Sequence, residues 1–327
     1  MTANDNLTYA YMLGVQVPGV PPQFLRASSK NRHRAWAGMG VIKYDRVGEC
    51  IYCGGKWGKL TDEHIVPYGL GGNWILPESS CERCAKITSQ TEFEVLRKQL
   101  IQVRARLDLP SRKSSLPIEM PLTVQLGDEA KTFFLPKAQH PTLAVFLLYP
   151  LPGVLGGNSP ERGINVIGHQ LYRVGGPPVK ETVESLGSKK LTFTQKFVGN
   201  EFERMLAKIA FGFAVAQLGL DAVRLSRLRA TILGKEDDAG RWVGTGAYHP
   251  PASTMLHEVK LFEGGGWLFA KVRLLASMRT PEYIVVILEG DPAYRPELFH
   301  GGPLEKVELP GTLTSKIEVE DRVKRKG

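Results

Sequence analysis

Four cysteines, all between Cys50 and Cys84, constrain this 327-residue chain more than any other feature. They form two Cys-x-x-Cys pairs, Cys50/Cys53 and Cys81/Cys84, and the rest of the sequence has no cysteine. In a compartment that keeps thiols reduced, such pairs are metal ligands rather than disulfide partners. Each pair offers two thiolates to one ion, and four thiolates complete a closed tetrahedral shell on zinc with no position left for water. The expected zinc is therefore structural, a staple for a segment too short to build a large core.

The surrounding sequence divides on composition. Residues 1–40 read as a basic N-terminal arm: PGVPPQF is extended and Pro-rich, and Arg26, Lys30, Arg32, His33 and Arg34 follow without an acid, either a solvated tail or an arm that follows phosphates with Trp36 available for stacking. Residues 41–108 hold the cysteine module. Val41 to Tyr44 and Leu60 to Val66 have strand character. Ala85 to Leu107 has helical spacing, with Leu96, Leu100, Val103 and Leu107 on one face and Arg97, Lys98, Arg104 and Arg106 mostly off it, either a solvated face or a contact to phosphates. Residues 109–117, LPSRKSSLP, interrupt the helical pattern and read as a linker.

Residues 118–327 read as a mixed α+β region of unknown role. Strands are expected at Leu122 to Leu126, Thr132 to Leu135, Leu191 to Val198, Met255 to Phe262, Trp267 to Leu275 and Tyr283 to Leu288. A helix is expected from Asn200 to Leu218, closed by Gly219, with a core stripe of Phe202, Leu206, Ile209, Phe213 and Leu218. A second runs from Asp221 to Leu233, and the tail EDRVKRKG is charged. The glycine-rich stretches at 153–157 and 264–266 lack a phosphate-loop Lys-Ser/Thr ending and read as turns. His140, His169, His249, His257 and His300 have no paired spacing and read as surface or core.

A formal charge of +9 and a pI near 9.3 favour phosphate partners without specifying a fold. No secretory pattern opens the sequence, and its longest apolar run, Leu143 to Leu151, is about half of what a membrane span needs. The expectation is a soluble cytoplasmic protein with no membrane partner.

Between the cysteine pairs lies Asp62-Glu63-His64-Ile65-Val66-Pro67, followed by Gly69-Leu70-Gly71-Gly72. Acid, His, aliphatic and Pro, then a Gly-Gly turn, all framed by two Cys-x-x-Cys pairs, resembles the HNH endonuclease family over about Cys50 to Glu94. The resemblance implies a zinc-stapled ββα-metal (treble-clef-like) module, here ahead of a mixed α/β C-terminal region. It implies a metal-dependent endonuclease hydrolysing phosphodiester bonds of DNA, with double-stranded DNA as the partner. Glu63 matches the ligand of a catalytic Mg or Mn ion, His64 the general base, and Cys50, Cys53, Cys81 and Cys84 the structural zinc site. A histidine of ordinary pKa suits proton abstraction from water near neutral pH, and a hard cation suits the phosphoryl oxygens. In a strand, Glu63 and His64 face opposite sides, so their convergence on one phosphate comes from the resemblance alone. Asp62 is a second carboxylate, a ligand or a turn acid.

Two positions depart from the family pattern. Ala85 stands where His or Asn closes the metal site, and Leu76 stands where Asn is common. Either Thr88, Ser89 or Glu92, on the same helix face, rebuilds the site, or the module is a catalytically degenerate, zinc-dependent nucleic-acid binder.

Overall fold

The computed structural model describes residues 8–16, 40–56, 58–112, 115–156, 159–264, 266–291 and 313–320. The basic cluster from Arg26 to Trp36, His300 and residues 321–327 lie outside them, as does part of each glycine-rich stretch. The fold is mixed α/β, with a four-cysteine group that could hold zinc.

The cysteine segment contains β2 (Ile42–Lys43), β3 (Leu60–His64) and β4 (Trp74–Cys81), ordered β2-β4-β3, with β2 parallel and β3 antiparallel to the central strand. Strand β4 runs directly into helix α1 (Glu82–Glu94). The helical pattern then continues through a π-turn at Val95–Gln99 into α2 (Ile101–Arg106). The single helix expected over 85–107 is thus three helical pieces, and its apolar stripe is retained: Leu96, Leu100 and Val103 are buried. The basic residues off the stripe divide. Arg104 and Arg106 are buried, not solvated: Arg104 donates to the carbonyls of Gly69 and Pro110 at 2.8 Å each, and Arg106 donates to Thr142 Oγ1 at 3.0 Å. Leu109 is buried too, and its N–H bonds Arg104 O. The start of the stretch that reads as a linker is therefore packed onto the module.

Beyond it, β5 (Glu119–Leu126) and β6 (Glu129–Pro136) form a hairpin, and β9 (Lys190–Val198) pairs with β5. The fully buried apolar run β7 (Thr142–Leu148) pairs with β8 (Gly168–Gly175). Helix α3 (Val179–Ser185) precedes β9. Helix α4 (Glu201–Leu218) follows, ended by Gly219 at positive φ. The second helix expected over 221–233 is two short ones, α5 (Leu220–Val223) and α6 (Leu228–Ile232). After α7 (Ala239–Trp242) come β10 (Val243–Ala247), β11 (Met255–Gly264), β12 (Trp267–Leu274) and β13 (Glu282–Leu288). Among the described residues, six strands lie outside the sequence expectation: β4, β7, β8 and β10, and one near each end of the chain. In the region that reads as an arm, β1 (Thr8–Gln16) pairs antiparallel with β11 and completes the sheet β1-β11-β12-β13-β10. Near the C-terminus, β14 (Leu313–Glu320) pairs parallel with β9.

Helix α4 organises these layers. Every residue from Glu201 to Val215 is buried, so burial extends well beyond the expected core stripe; of that stripe only Leu218 escapes full burial. It packs against α1 on one side and β12 and β13 on another. Trp74 stacks on Phe213 with ring centroids 5.5 Å apart, and Tyr52 lies 6.3 Å from Phe211. The cysteine module and the C-terminal region consequently share one apolar cluster.

A second tie is His257 on β11, fully buried, whose Nδ1 accepts the Leu275 N–H at 3.2 Å while Nε2 meets Leu70 O at 2.8 Å. With Nδ1 accepting, Nε2 carries the proton, and the neutral ring is fully satisfied. Burial depresses its pKa from 6.5 to about 4, with the Leu70 carbonyl opposing. In the window between those two values the unfolded chain binds the proton and the folded chain does not, so stability is full above 6.5 and falls as pH drops toward 4. We expect this histidine to remove up to about 3 kcal/mol across that window. Denaturant midpoints against pH should show a shallower acid slope for His257→Gln than for the natural chain; equal slopes would rule the linkage out.

Candidate metal centre and adjoining charged site

The candidate zinc site is assembled from a loop and a strand–helix junction. Cys50 to Cys53 form a tight turn: Gly54 N–H donates to Cys50 O, and Cys50 N–H to Gly55 O, both at 2.8 Å, with Gly54 in the left-handed region that a side chain resists. Ile51 N–H donates to Ser79 O at 2.8 Å, which straps this knuckle to β4. Cys81 ends β4, and Cys84 lies in the first turn of α1, where free helix N–H groups favour thiolates. The four sulfurs lie within 4.8 Å of one another, and Cys53 and Cys81 are 3.7 Å apart. Tetrahedral zinc with Zn–S bonds of about 2.3 Å places its sulfurs about 3.8 Å apart. The donor set and its spacing fit that ion. Burial, then the charge of Cys50, pushes the Cys84 thiol far above the usual range, the repulsion that a divalent cation would relieve.

Glu63 and His64 leave β3 on opposite sides, as strand alternation requires. Glu63 is buried beneath the hairpin. Its Oε1 lies 2.7 Å from Lys208 Nζ of α4, and the same ammonium lies 2.7 Å from Glu92 Oε1 of α1. Lys208 also donates to the His64 carbonyl. Burial raises the Glu63 pKa, while the Lys208 charge lowers it and Glu92 raises it. Burial pulls Lys208 down, but Glu63 and Glu92 outweigh that, and its pKa is raised.

His64 faces outward and is half-buried. Its Nε2 lies 2.8 Å from Arg112 Nη2, whose guanidinium sits over the Tyr68 ring at 4.6 Å. His64 and Tyr68 meet edge to face at 5.7 Å. Its Nδ1 is buried without a hydrogen-bond partner. Burial lowers the His64 pKa, followed by Arg112 and Lys208, with the Gly72 backbone and Glu92 pulling the other way. Burial and the two cations therefore favour the neutral ring. An arginine can only donate, so the accepting lone pair is on Nε2. The loop beyond β3 doubles back so tightly that a Cβ on Gly72 would fall 1.9 Å from Val66 O, while Gly71 has φ 84°. These are the two glycines whose lack of a side chain lets the hairpin close.

The remaining candidates separate clearly. Asp62 is exposed and accepts the Glu78 N–H at 3.2 Å, where a bulge puts Glu78 at φ 46°, so it serves the turn. Thr88 donates to Ala85 O, and Ser89 is exposed. Of the three residues considered beyond Ala85, Glu92 alone meets the Glu63 site. Lys208 and Arg112 were outside the sequence reading. A lysine in the otherwise apolar run MLAKIAFGF was the available signal for the first; the second had none beyond its positive charge. Among the other histidines, His140 is buried between Pro121 O and Thr142 Oγ1. No helix among the described residues is long and apolar enough to cross a membrane. The chain matches no protein-family model, no curated protein and no solved structure.

The purified chain should carry about one zinc per molecule, measurable by elemental analysis. Cys50→Ser and Cys84→Ser should each lose the ion and lower the thermal midpoint. A metal-free preparation that melts at the same temperature as the zinc-loaded one would exclude a structural role.

Proposed function

We propose that this chain is an HNH-type endonuclease, stapled by zinc on Cys50, Cys53, Cys81 and Cys84, that acts on the phosphodiester backbone of DNA with His64 as general base. The observation that carries this reading is the half-exposed His64, paired with the Arg112 guanidinium and set on a β-hairpin between two cysteine pairs that runs into a helix. The two groups suit one phosphate. A phosphate oxygen competes for the guanidinium, since charge-assisted pairing with a phosphate is stronger than a bond to a neutral imidazole. Arg112 then leaves Nε2 free to accept a proton from water. The water oxygen attacks phosphorus as that proton passes to Nε2, and the bond to the leaving deoxyribose oxygen breaks, that oxygen being protonated by solvent. Tyr68, about two-fifths exposed, offers a stacking face beside the histidine.

The catalytic Mg or Mn ion that the resemblance implies does not fit Glu63 as it stands, because the carboxylate is buried and already paired with Lys208. No step is assigned to such an ion. The same observation favours a second reading, a zinc-stapled nucleic-acid binder that does not cut.

Plasmid nicking, run with and without Mg or Mn, separates the two. On the nuclease reading, His64→Ala lowers the nicking rate on the order of 10²–10⁴-fold while zinc content and fold persist. Absence of cutting on duplex DNA, single-stranded DNA and RNA overturns it. Arg112→Ala should weaken DNA binding on both readings and reduce the slope of log affinity against log salt by about one. An unchanged slope in a fluorescence-anisotropy titration would remove Arg112 from the phosphate contact.

A further inference from the structure

An HNH-type module calls for a divalent cation at its acidic residue, yet this chain brings a cation of its own to that place. Three segments distant in sequence converge there: Glu63 from β3, Glu92 from α1 and Lys208 from α4. We infer that the Lys208 ammonium is the resident cation of the module, standing where a divalent ion is implied, so that the chain holds no Mg or Mn at Glu63. The inference rests on reading the hairpin and helix as an HNH-type module. It does not depend on whether the module cuts.

The acceptors match an ammonium. Lys208 has three N–H donors and meets three strong acceptors: the Glu63 carboxylate, the Glu92 carboxylate and the His64 carbonyl, with Ile65 O further off at 3.4 Å. Magnesium has different requirements: near-octahedral oxygen coordination that usually retains several waters. The Lys208 side chain is only 2% exposed, which leaves little access for a hydrated ion. Nor can the lysine easily withdraw. Helix α4 is buried on all sides from Glu201 to Val215, and the positions one turn away, Arg204, Met205, Phe211 and Gly212, are buried with it. An ammonium displaced from the carboxylates would be left uncompensated in that interior.

The arrangement also reaches the outward half of the site. By holding the His64 carbonyl and the neighbouring Glu63 side chain, Lys208 fixes the end of β3 from which the His64 ring projects. Lys208 is thus a positioning residue.

The test is Mn²⁺ binding to the zinc-loaded full chain, followed by electron paramagnetic resonance, which reads the ion and not the reaction. In the natural chain we expect no loss of the free Mn²⁺ signal that Glu63→Gln or Glu92→Gln would reverse. Lys208→Met, which keeps the length of the stem and removes the charge, should acquire about one bound Mn²⁺ per chain, lost again in Lys208→Met/Glu63→Gln. Bound Mn²⁺ in the natural chain that either carboxylate substitution abolishes would overturn the inference; bound Mn²⁺ indifferent to both belongs to another site and leaves it standing. Should Lys208→Met fail to fold, the comparison of the natural chain with the two carboxylate variants decides alone. A failure of nicking leaves the Mn²⁺ result intact, and a Mn²⁺ site at Glu63 would overturn the inference while strengthening the nuclease reading.

Discussion

The buried Lys208 ammonium is the interaction on which the assembly turns. Taking a charge out of water costs several kcal/mol, and the cost is met only when the partners are correctly placed. Here those partners come from β3 and α1, while the lysine comes from a helix well over a hundred residues later in the chain. The ion group cannot form until the cysteine module and α4 have docked, and once formed it penalises any displacement between them. Apolar contacts run along the same seam, with Trp74 on Phe213 and Tyr52 beside Phe211. Polar ties flank it: Arg224, between α5 and α6, pairs with Glu49 beside the first cysteine, and His257 bonds the loop after β3.

The four-cysteine group and α4 thus address different parts of one problem. A segment of this length, with two short strands facing a helix, cannot bury enough apolar surface alone. An ion held by the four sulfurs would tie the knuckle at Cys50 and Cys53 to the strand–helix junction, at one end of the module. The opposite end, where His64 and the Pro67-to-Gly72 loop lie, is held by Lys208, by the buried Arg104 donating to Gly69 O and by His257. The C-terminal region is accordingly part of the site's foundation and not a detachable neighbour.

What was legible in the sequence follows from which interactions are local. The cysteine pairs, β3 and the apolar stripe of the following helix are written in short-range spacing, and the structure brings the four sulfurs together. Strands with regular alternation, such as β9, β11 and β12, were visible for the same reason. Strand β4 was not: Pro77 interrupts it, and the bulge at Glu78 breaks the alternation. Strand β10, VGTGA, has two glycines and resembles a turn until β13 pairs with it. The role of α4 was half legible. Periodicity gave its boundaries and most of its buried stripe, but it assigned nothing to Glu201, Glu203, Arg204 and Lys208. Each is buried; Glu203 accepts the Tyr149 hydroxyl, Arg204 binds Glu201 and the Ile232 carbonyl, and Lys208 binds the module. A pattern of polar residues does not state that their partners lie far along the chain.

Strand geometry then determines how chemistry can be arranged here. Because Glu63 and His64 are adjacent in β3, their side chains diverge, and the hairpin separates two electrostatic environments that share a backbone. Beneath it, burial demands that charge be balanced inside the protein, which the Lys208 ammonium does with two carboxylates. Above it, His64 is favoured in its neutral form by partial burial and by two nearby cations, and its one accessible nitrogen faces an arginine that can turn to an arriving anion. The lower half contributes to the upper by rigidity and by field: the ammonium grips the His64 carbonyl and helps hold the ring unprotonated. On the proposed reading, phosphate chemistry would take place on the outward face, with the inward carboxylates acting through the backbone they hold in place.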